Sequence, residues 1–226
     1  MSYYAFVSYK TADKRVAGRL KGILAAFEIS SFLAHDDISV SDEWRLRILR
    51  EIAKADVFIC FLSKNYFKST WCIQESGIAA FRKNLPIIPL SLDGTKPRGF
   101  IANLQSVKVG KNSITIEDLI PAFLKHDFAK GIDILIEQVC ASRNYRDAET
   151  NFRQILPYVS RMKHEQIKLL LKGSAENDQI YHASLCAGKY IPPLLKSHGR
   201  FLDRKTRALL TKVCARYSPK REKLSV

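Results

Sequence analysis

The first half of the sequence alternates short apolar runs with segments of helical periodicity. The apolar runs predict five β-strands: Tyr3–Tyr9, Ser30–His35, Val57–Leu62, Leu85–Leu92 and Ser106–Val109. Between these runs, apolar residues recur every three or four positions, as they do on the buried face of a helix. The run Val57–Leu62 is too continuous for a strand with one wet face, so it indicates a parallel strand covered by helices on both sides. The pattern therefore predicts an α/β fold with a five-stranded parallel sheet.

A different pattern begins after Glu117, where strand-like runs disappear and helical periodicity continues. Six helices are predicted there: Glu117–Leu124, Ile132–Cys140, Ala148–Met162, His164–Leu171, Gln179–Tyr190 and Leu202–Tyr217. Pro157 should break or kink the third of these helices, and Pro192 with Pro193 should end the fifth. Gly173 and Gly199 occupy positions where helices commonly stop. We therefore expect two domains, one at 1–125 with the sheet and one at 126–226 with helices only.

The composition is that of a soluble globular protein. Hydrophobic residues make up 46% of the 226 residues and charged residues 26%, and no apolar run approaches the roughly 20 residues that span a bilayer. The five cysteines are scattered without a CxxC pair, which indicates reduced thiols in a cytoplasmic protein and argues against a zinc cluster. The formal net charge is +15, and the basic tail Arg204–Lys223 would suit nucleic acid. It lacks an aromatic stacking platform, however, which argues against specific binding.

The stretch Asp56–Ala80 carries the strongest functional signal. A polar loop follows its buried strand, and a helix then begins near Ser69 or Thr70, both of which are good N-caps. Trp71 and Glu75 are four residues apart, so they share one face of this helix near its start. Open α/β sheets form their ligand crevices just outside the carboxyl ends of the strands. The stretch therefore predicts a ligand site with an aromatic ring beside a carboxylate.

Four segments form a series along the first half of the chain: AFVSY, HDDISVSDEWRLRILREI, DVFICFLSKNYFKSTWCIQE and IIPLSLD. Together they resemble the sequence boxes of a TIR (Toll/interleukin receptor) domain of the bacterial kind. Several boxes in the correct order are more specific than any single motif. The resemblance covers residues 3 to about 110–125 and implies the flavodoxin-like TIR fold. One departure is Val40–Ser41, where bacterial relatives often carry Pro-Gly.

The resemblance implies one of two functions. TIR domains are either adaptors that signal by self-association or enzymes that cleave NAD+ between nicotinamide and ribose, and the enzymes use a glutamate at the position matching Glu75. One carboxylate suits this chemistry, because nicotinamide leaves as a neutral ring and only the positive charge developing on the ribose needs stabilisation. We therefore expect an NAD+ glycohydrolase or cyclase that makes ADP-ribose, or a cyclic or modified ADP-ribose signal, in bacterial immune (anti-phage) defence. NAD+ is then a substrate, and neither a cofactor nor a metal is expected.

Five further residues are predicted to contact the substrate: Ser8, Tyr9, Trp71, Asp36 and Asp37. The first two end the first strand, at the edge of the sheet where the crevice is expected. The two aspartates lie in the loop after the second strand, where a cation site and an Asx-type turn are alternatives. The structural alternative for Glu75 is a partly exposed, solvated helix residue, and for Trp71 it is a packing role.

The expected partners, beyond NAD+, are proteins. The TIR resemblance implies self-association, which we expect to involve the loop Asp36–Asp42, and an upstream sensor or downstream effector protein. The second candidate function is a non-catalytic adaptor that works through such contacts. A nucleic-acid-binding module using the basic tail is a third, less favoured class, and no membrane partner is expected.

Overall fold

The computed structural model of the protein describes residues 3–34 and 43–217. The chain divides into two compact units, Met1–Ala122 and Phe123–Val226. The first unit contains a parallel sheet with helices, and the described part of the second contains helices without strands. The predicted fold class, a five-stranded parallel sheet followed by a helical region, is therefore confirmed.

The first unit alternates strands and helices along the chain. Its strands are β1 (Tyr3–Ser8), β2 (Ile29–Leu33), β3 (Val57–Leu62), β4 (Ile87–Ser91) and β5 (Val107–Lys108). Its helices include α1 (Lys14–Ala26), α2 (Trp44–Lys54) and α3 (Thr70–Phe81). All strand pairs are parallel, and the spatial order is β2-β1-β3-β4-β5. The predicted second strand ran to His35, which lies outside the described residues.

The core of this unit follows from the apolar strands. All six residues of β3 are buried, as its unbroken apolar run predicted. Phe6 of β1 stacks on Phe58 of β3 with ring centroids 5.4 Å apart, and Ile52 of α2 and Cys72 of α3 join the same buried cluster. Because strand side chains alternate between faces, Ser8 points to the same face as Phe6. Ser8 is thereby directed to the side of the sheet that α2 and α3 cover.

The strand order creates a switch point between β1 and β3. The chain leaves β1 towards β2 on one side, and it later enters β3 on the other side of β1. Ser8, the last residue of β1, pairs with Cys60 of β3. In sheets of this order a crevice opens where the connections after the two strands diverge, at their carboxyl ends. The edge at which the sequence predicts a ligand site is therefore the edge where sheets of this order bind their ligands.

The remaining helices differ from the predicted ones at one end or at both. They are α4 (Ile120–His126), α5 (Phe128–Cys140), α6 (Tyr145–Ile155), α7 (His164–Glu176), α8 (Asp178–Tyr181), α9 (Ile191–His198) and α10 (Arg204–Tyr217). Within the described ranges, no helix is long and apolar enough to cross a membrane.

The prolines of the second unit act differently from one another. Pro157 ends α6, and the chain continues as a 3-10 helix over Leu156–Arg161, so the predicted break is confirmed. Pro192 and Pro193 do not end a helix, and that prediction is wrong. They stand in the first turn of α9, directly after the π-helical turn Cys186–Tyr190. Proline is tolerated there because the first amide groups of a helix have no partner within it.

The two glycines predicted to stop helices also differ. Gly199 follows the last residue of α9, as predicted. Gly173 instead lies inside α7, and a Cβ atom there would stand 2.1 Å from Cys140 Sγ. This glycine is required by the close packing of α5 against α7, and it marks no helix end.

Candidate active site

The position of Glu75 follows from how the chain leaves β3. A 3-10 turn over Tyr66–Lys68 comes first, and α3 then begins at Thr70. The Ser69 hydroxyl group accepts a hydrogen bond from the Cys72 amide at 3.4 Å, so of the two predicted N-caps, Ser69 and Thr70, Ser69 is the one that caps the helix. Glu75 therefore lies in the second turn of α3, close to the carboxyl end of β1.

Glu75 is buried, with 1% of its surface exposed. The Ser8 hydroxyl group donates a hydrogen bond to Glu75 Oε2 at 2.5 Å. The other carboxylate oxygen, Oε1, is also buried and has no hydrogen-bond partner among the described residues. The structural alternative for Glu75, a partly exposed and solvated helix residue, is therefore wrong. The reason is that Glu75 shares the inward face of α3 with Cys72, Ser76 and Ala79.

Tyr66 extends this arrangement. It is fully buried, its hydroxyl oxygen lies 2.9 Å from Ser8 Oγ, and it is also 3.2 Å from the Cys72 carbonyl oxygen, an acceptor. Tyr66, Ser8 and Glu75 thus form one continuous chain of hydrogen bonds. Sequence reasoning did not single out Tyr66, although it belongs to the segment LSKNY that resembles a family box.

Glu75 differs from the other buried carboxylates in the first unit. Asp13 forms an ion pair with Lys111 at 3.6 Å, and Glu51 forms one with Arg47 at 3.0 Å. Within residues 3–34 and 43–217, no cation pairs with Glu75. A buried carboxylate without a cation is costly, because the charged form loses its hydration. Such groups occur most often where a protein uses the carboxylate.

Burial changes the proton affinity of this site. Desolvation raises the pKa of Glu75 from its usual value of 4.5 to about 7, and the hydrogen bond from Ser8 opposes the change. Burial also raises the pKa of the Cys72 thiol to about 11 and raises the pKa of Cys60 and of Tyr66. These neighbours are therefore neutral near pH 7. Glu75 is the member of this group whose charge changes in that range.

Trp71 lies at the surface rather than in the interior. Its side chain is 37% exposed, and its ring contacts the ring of Trp44 edge-on, with centroids 6.2 Å apart. Although Trp71 and Glu75 are one turn apart, the carboxylate points into the protein and the indole ring is partly in solvent. A role for Trp71 in lining a substrate site stays a prediction.

The other predicted contacts are placed as follows. Ser8 touches the Glu75 carboxylate directly. Tyr9 is fully buried beside it in the chain, and its contact with a substrate stays a prediction. Asp36 and Asp37 lie outside the described residues. In the described parts of the chain, no group of three His, Cys, Asp or Glu side chains could hold a metal ion.

A family model described as "TIR domain" matches residues 5–120, slightly more than half of the chain. The chain belongs to the TIR domain family. The match includes residues of all five strands and contains Ser8, Tyr66 and Glu75. A search of curated proteins found no match.

Solved TIR structures are also similar to this chain. One is the TIR domain of the Toll-related receptor TRR-2 from the lower metazoan Hydra magnipapillata, with 19% identity and a TM-score of 0.44. That comparison covers 56% of this chain and 96% of the receptor domain. Another is the set of TIR domains of the activated Roq1 resistosome, which directly recognises the pathogen effector XopQ. It has 18% identity and a TM-score of 0.38, and it covers 72% of this chain and 86% of that one.

The TIR domain also has an exposed apolar surface on α3. Ile73, Gly77 and Phe81 follow one another at intervals of four residues, so they line one side of the helix. Phe81 is 88% exposed, and the nearby Phe100 is 85% exposed. Ile73, Gly77 and Phe100 line a cavity of about 380 Å³ together with Arg98. We call Ile73, Gly77, Phe81 and Phe100 the α3 apolar surface.

Proposed function

We propose that this TIR domain cleaves NAD+ at the bond between nicotinamide and ribose, with Glu75 as the catalytic carboxylate. The observation that carries the proposal is the buried carboxylate of Glu75. It lies at the β1/β3 switch point, it has no cation partner in the described residues, and its Oε1 atom has no hydrogen-bond partner there. In a family that includes NAD+-cleaving enzymes, this combination favours catalysis over a structural role.

Cleavage of the bond between nicotinamide and ribose requires few catalytic groups besides this carboxylate. Nicotinamide leaves as a neutral ring, so the leaving group needs no general acid. The ribose becomes oxocarbenium-like, and a fixed negative charge nearby stabilises it, as one of the two carboxylates does in glycosidases. Attack by water then gives ADP-ribose, and attack by an atom of the substrate itself gives a cyclic isomer.

Burial of Glu75 strengthens its effect on such a charge. In a site from which water is excluded, the attraction between the carboxylate and the ribose cation is much larger than in water. The same burial means that Glu75 is covered in the described arrangement. Cleavage therefore requires the side chains around Glu75 to move, and we propose that self-association of the TIR domain accompanies that movement.

The biological setting remains part of the proposal. We propose that the reaction serves an immune or stress response, with the helical unit as the part that regulates or assembles the enzyme. The predicted self-association contacts in the loop Asp36–Asp42 lie outside the described residues. NAD+ and further copies of the chain are the proposed partners.

The decisive experiment is to incubate the purified protein with NAD+ and to resolve the products by chromatography and mass spectrometry. Free nicotinamide is expected, and the mass of the second product distinguishes hydrolysis from cyclisation. Glu75→Gln keeps the size of the side chain and removes its charge, so it should lower the rate by about 100-fold or more. Glu28→Gln, at an exposed position, is the matched control and should keep the rate of the parent. A folded Glu75→Gln protein that releases nicotinamide as fast as the parent would remove Glu75 from the mechanism.

The second candidate function is a non-catalytic adaptor, and the α3 apolar surface favours it. Phe81 and Phe100 are almost wholly exposed, and apolar residues gathered on one surface mark contacts with other proteins. A parent protein that self-associates but releases no nicotinamide at any concentration would support the adaptor and exclude the enzyme.

A further inference from the structure

Three polar side chains are connected in series by hydrogen bonds in the interior of the TIR domain. Tyr66 Oη lies 2.9 Å from Ser8 Oγ, and Ser8 Oγ lies 2.5 Å from Glu75 Oε2. All three residues are buried, so bulk water does not compete for these bonds. We propose that Tyr66 is a positioning residue, which acts through Ser8 to hold Glu75 Oε2 and leaves Oε1 available to the substrate. The part that concerns the substrate rests on the proposed function.

The number of protons determines the direction of these bonds. Ser8 has one hydroxyl proton, and it donates this proton to the ionised carboxylate. In the 2.9 Å contact the Ser8 oxygen is then the acceptor and Tyr66 the donor, and this bond competes with the one from Tyr66 to the Cys72 carbonyl oxygen at 3.2 Å. The bonds therefore run from Tyr66 to Ser8 to Glu75. In such a chain each hydrogen bond polarises and strengthens the next.

Protonation of Glu75 reverses the direction. The carboxylic acid then donates to Ser8 Oγ, Ser8 donates to Tyr66 Oη, and Tyr66 donates to the Cys72 carbonyl oxygen 3.2 Å away. Each hydroxyl group keeps a partner in both states, so the interior accommodates the charged and the neutral form. The Tyr66 hydroxyl group consequently changes its acceptor when Glu75 changes its charge.

The other titratable groups at the site do not change their charge near neutral pH, so the acceptor of the Tyr66 hydroxyl group depends on the charge of Glu75. Cys60 reaches it from β3 and Cys72 from α3, and burial raises the pKa of both thiols, that of Cys72 to about 11. Lys10 acts on the Cys72 thiol in the opposite direction, towards a lower pKa. None of the described residues forms an ion pair with Glu75. Tyr66 is thus coupled to Glu75 through Ser8, a neutral side chain, and also directly through the charge of the Glu75 carboxylate.

The test is an NMR titration of the full chain, labelled with carbon-13 at the glutamate Cδ and tyrosine Cζ atoms. The signal that is lost in Glu75→Gln identifies Glu75, and the signal that is lost in Tyr66→Phe identifies Tyr66 among the nine tyrosines. We expect the Tyr66 signal to move with the same midpoint as the Glu75 signal. This movement should disappear in Glu75→Gln and become much smaller in Ser8→Ala, where only the direct effect of the Glu75 charge on Tyr66 is left. A Tyr66 signal that stays constant while Glu75 titrates would overturn the proposal.

Two variants measure the strength of the coupling. Ser8→Ala removes the donor to the charged carboxylate, so it should raise the titration midpoint of Glu75 by about one pH unit. Tyr66→Phe keeps the ring and should raise the midpoint by less, because it removes only the second bond. Tyr4→Phe is the matched control, since the Tyr4 hydroxyl group donates to Glu51 instead. If Tyr66→Phe changes the Glu75 midpoint no more than Tyr4→Phe does, the proposal is wrong. If Ser8→Ala fails to fold, the Tyr66 signal of the parent and the Glu75 midpoint in Tyr66→Phe still test the coupling between Tyr66 and Glu75.

The NMR result is independent of catalysis, and this separates the two proposals. If the parent is active, Tyr66→Phe should lower kcat several-fold with little change in KM. As the pH is lowered, kcat/KM should begin to fall at a higher pH in Tyr66→Phe than in the parent. Unchanged kcat and an unchanged pH profile would exclude the positioning role. If the parent releases no nicotinamide, the proposed function fails, whereas a Tyr66 signal that follows Glu75 would still establish the coupling.

Discussion

The Ser8 hydroxyl group lies 2.5 Å from Glu75 Oε2, although 67 positions separate these residues in the chain. The contact exists because β1 ends beside β3 and because α3 places its inward face against that end of the sheet. It fixes one oxygen of a buried carboxylate and leaves the other without a described partner. The burial that accompanies this asymmetry raises the pKa of Glu75.

The rate of NAD+ cleavage should increase with pH through about 7. Burial raises the pKa of Glu75 to about 7, and the ionised form is the one that stabilises a ribose cation. Below that point kcat/KM should fall about tenfold for each pH unit, because kcat/KM reports the ionisation of the free enzyme. Kinetics between pH 5 and pH 9 test this prediction. A rate that stays level down to pH 5 would show that Glu75 titrates as an ordinary exposed glutamate.

The stability of the TIR domain should decrease as pH rises from about 4.5 to about 7. Folded Glu75 keeps its proton to a higher pH than the unfolded chain does, so the folded state loses stability when both forms are ionised. The full effect is about 3 kcal/mol, since each pKa unit corresponds to about 1.4 kcal/mol. Glu75→Gln should therefore be more stable than the parent at pH 8 and similar to it near pH 4.5.

Tryptophan fluorescence in urea can measure this difference, because both tryptophans, Trp44 and Trp71, belong to the TIR domain. Glu51→Gln provides the contrast. It weakens the ion pair with Arg47 and should destabilise the domain at pH 8. A Glu75→Gln protein with the same stability advantage at both pH values would contradict the assigned role of burial.

Replacement of Trp71 should change substrate affinity more than folding. Its side chain is 37% exposed and touches Trp44, so Trp71→Ala should lose about 1 kcal/mol of aromatic contact. If the ring lines the substrate site, KM for NAD+ should rise by about tenfold in Trp71→Ala and by less in Trp71→Phe. Phe201→Ala, at a comparably exposed ring of the helical unit, is the control. An unchanged KM in Trp71→Ala would leave the ring a packing role only.

The α3 apolar surface should contribute to self-association. Phe81 is almost wholly exposed, so Phe81→Ser should change folding stability by within about 0.5 kcal/mol. It should nevertheless shift the protein towards the monomer in light scattering across a dilution series. Leu169→Ser, a half-exposed position of the helical unit, should leave the mass unchanged. Identical masses for Phe81→Ser and the parent would exclude this surface as a self-association contact. If assembly activates the enzyme, nicotinamide release per molecule should also fall on dilution.

Local signals in the sequence determined most of the strands and helices of the first unit. β1, β3 and β4 are mainly apolar runs bounded by polar residues. Strand and helix periodicities differ enough to be separated without knowledge of contacts. The N-cap at Ser69 and the break at Pro157 are local as well, since each depends on hydrogen bonds within a few residues. Gly173 shows the limit: its place inside α7 depends on Cys140, which lies on another helix.

The sequence also placed Glu75 at the carboxyl edge of the sheet, but it did not show that this glutamate is buried. Residues of α3 are apolar on several sides, so periodicity could not identify the inward face. The tertiary structure alone decided that Glu75 points inwards, that Ser8 is its donor, and that Tyr66, 58 positions from Ser8, completes the chain. Burial and the absence of a described cation then set the proton affinity of Glu75. These properties depend on residues far apart in the sequence, because desolvation is determined by everything that surrounds a side chain.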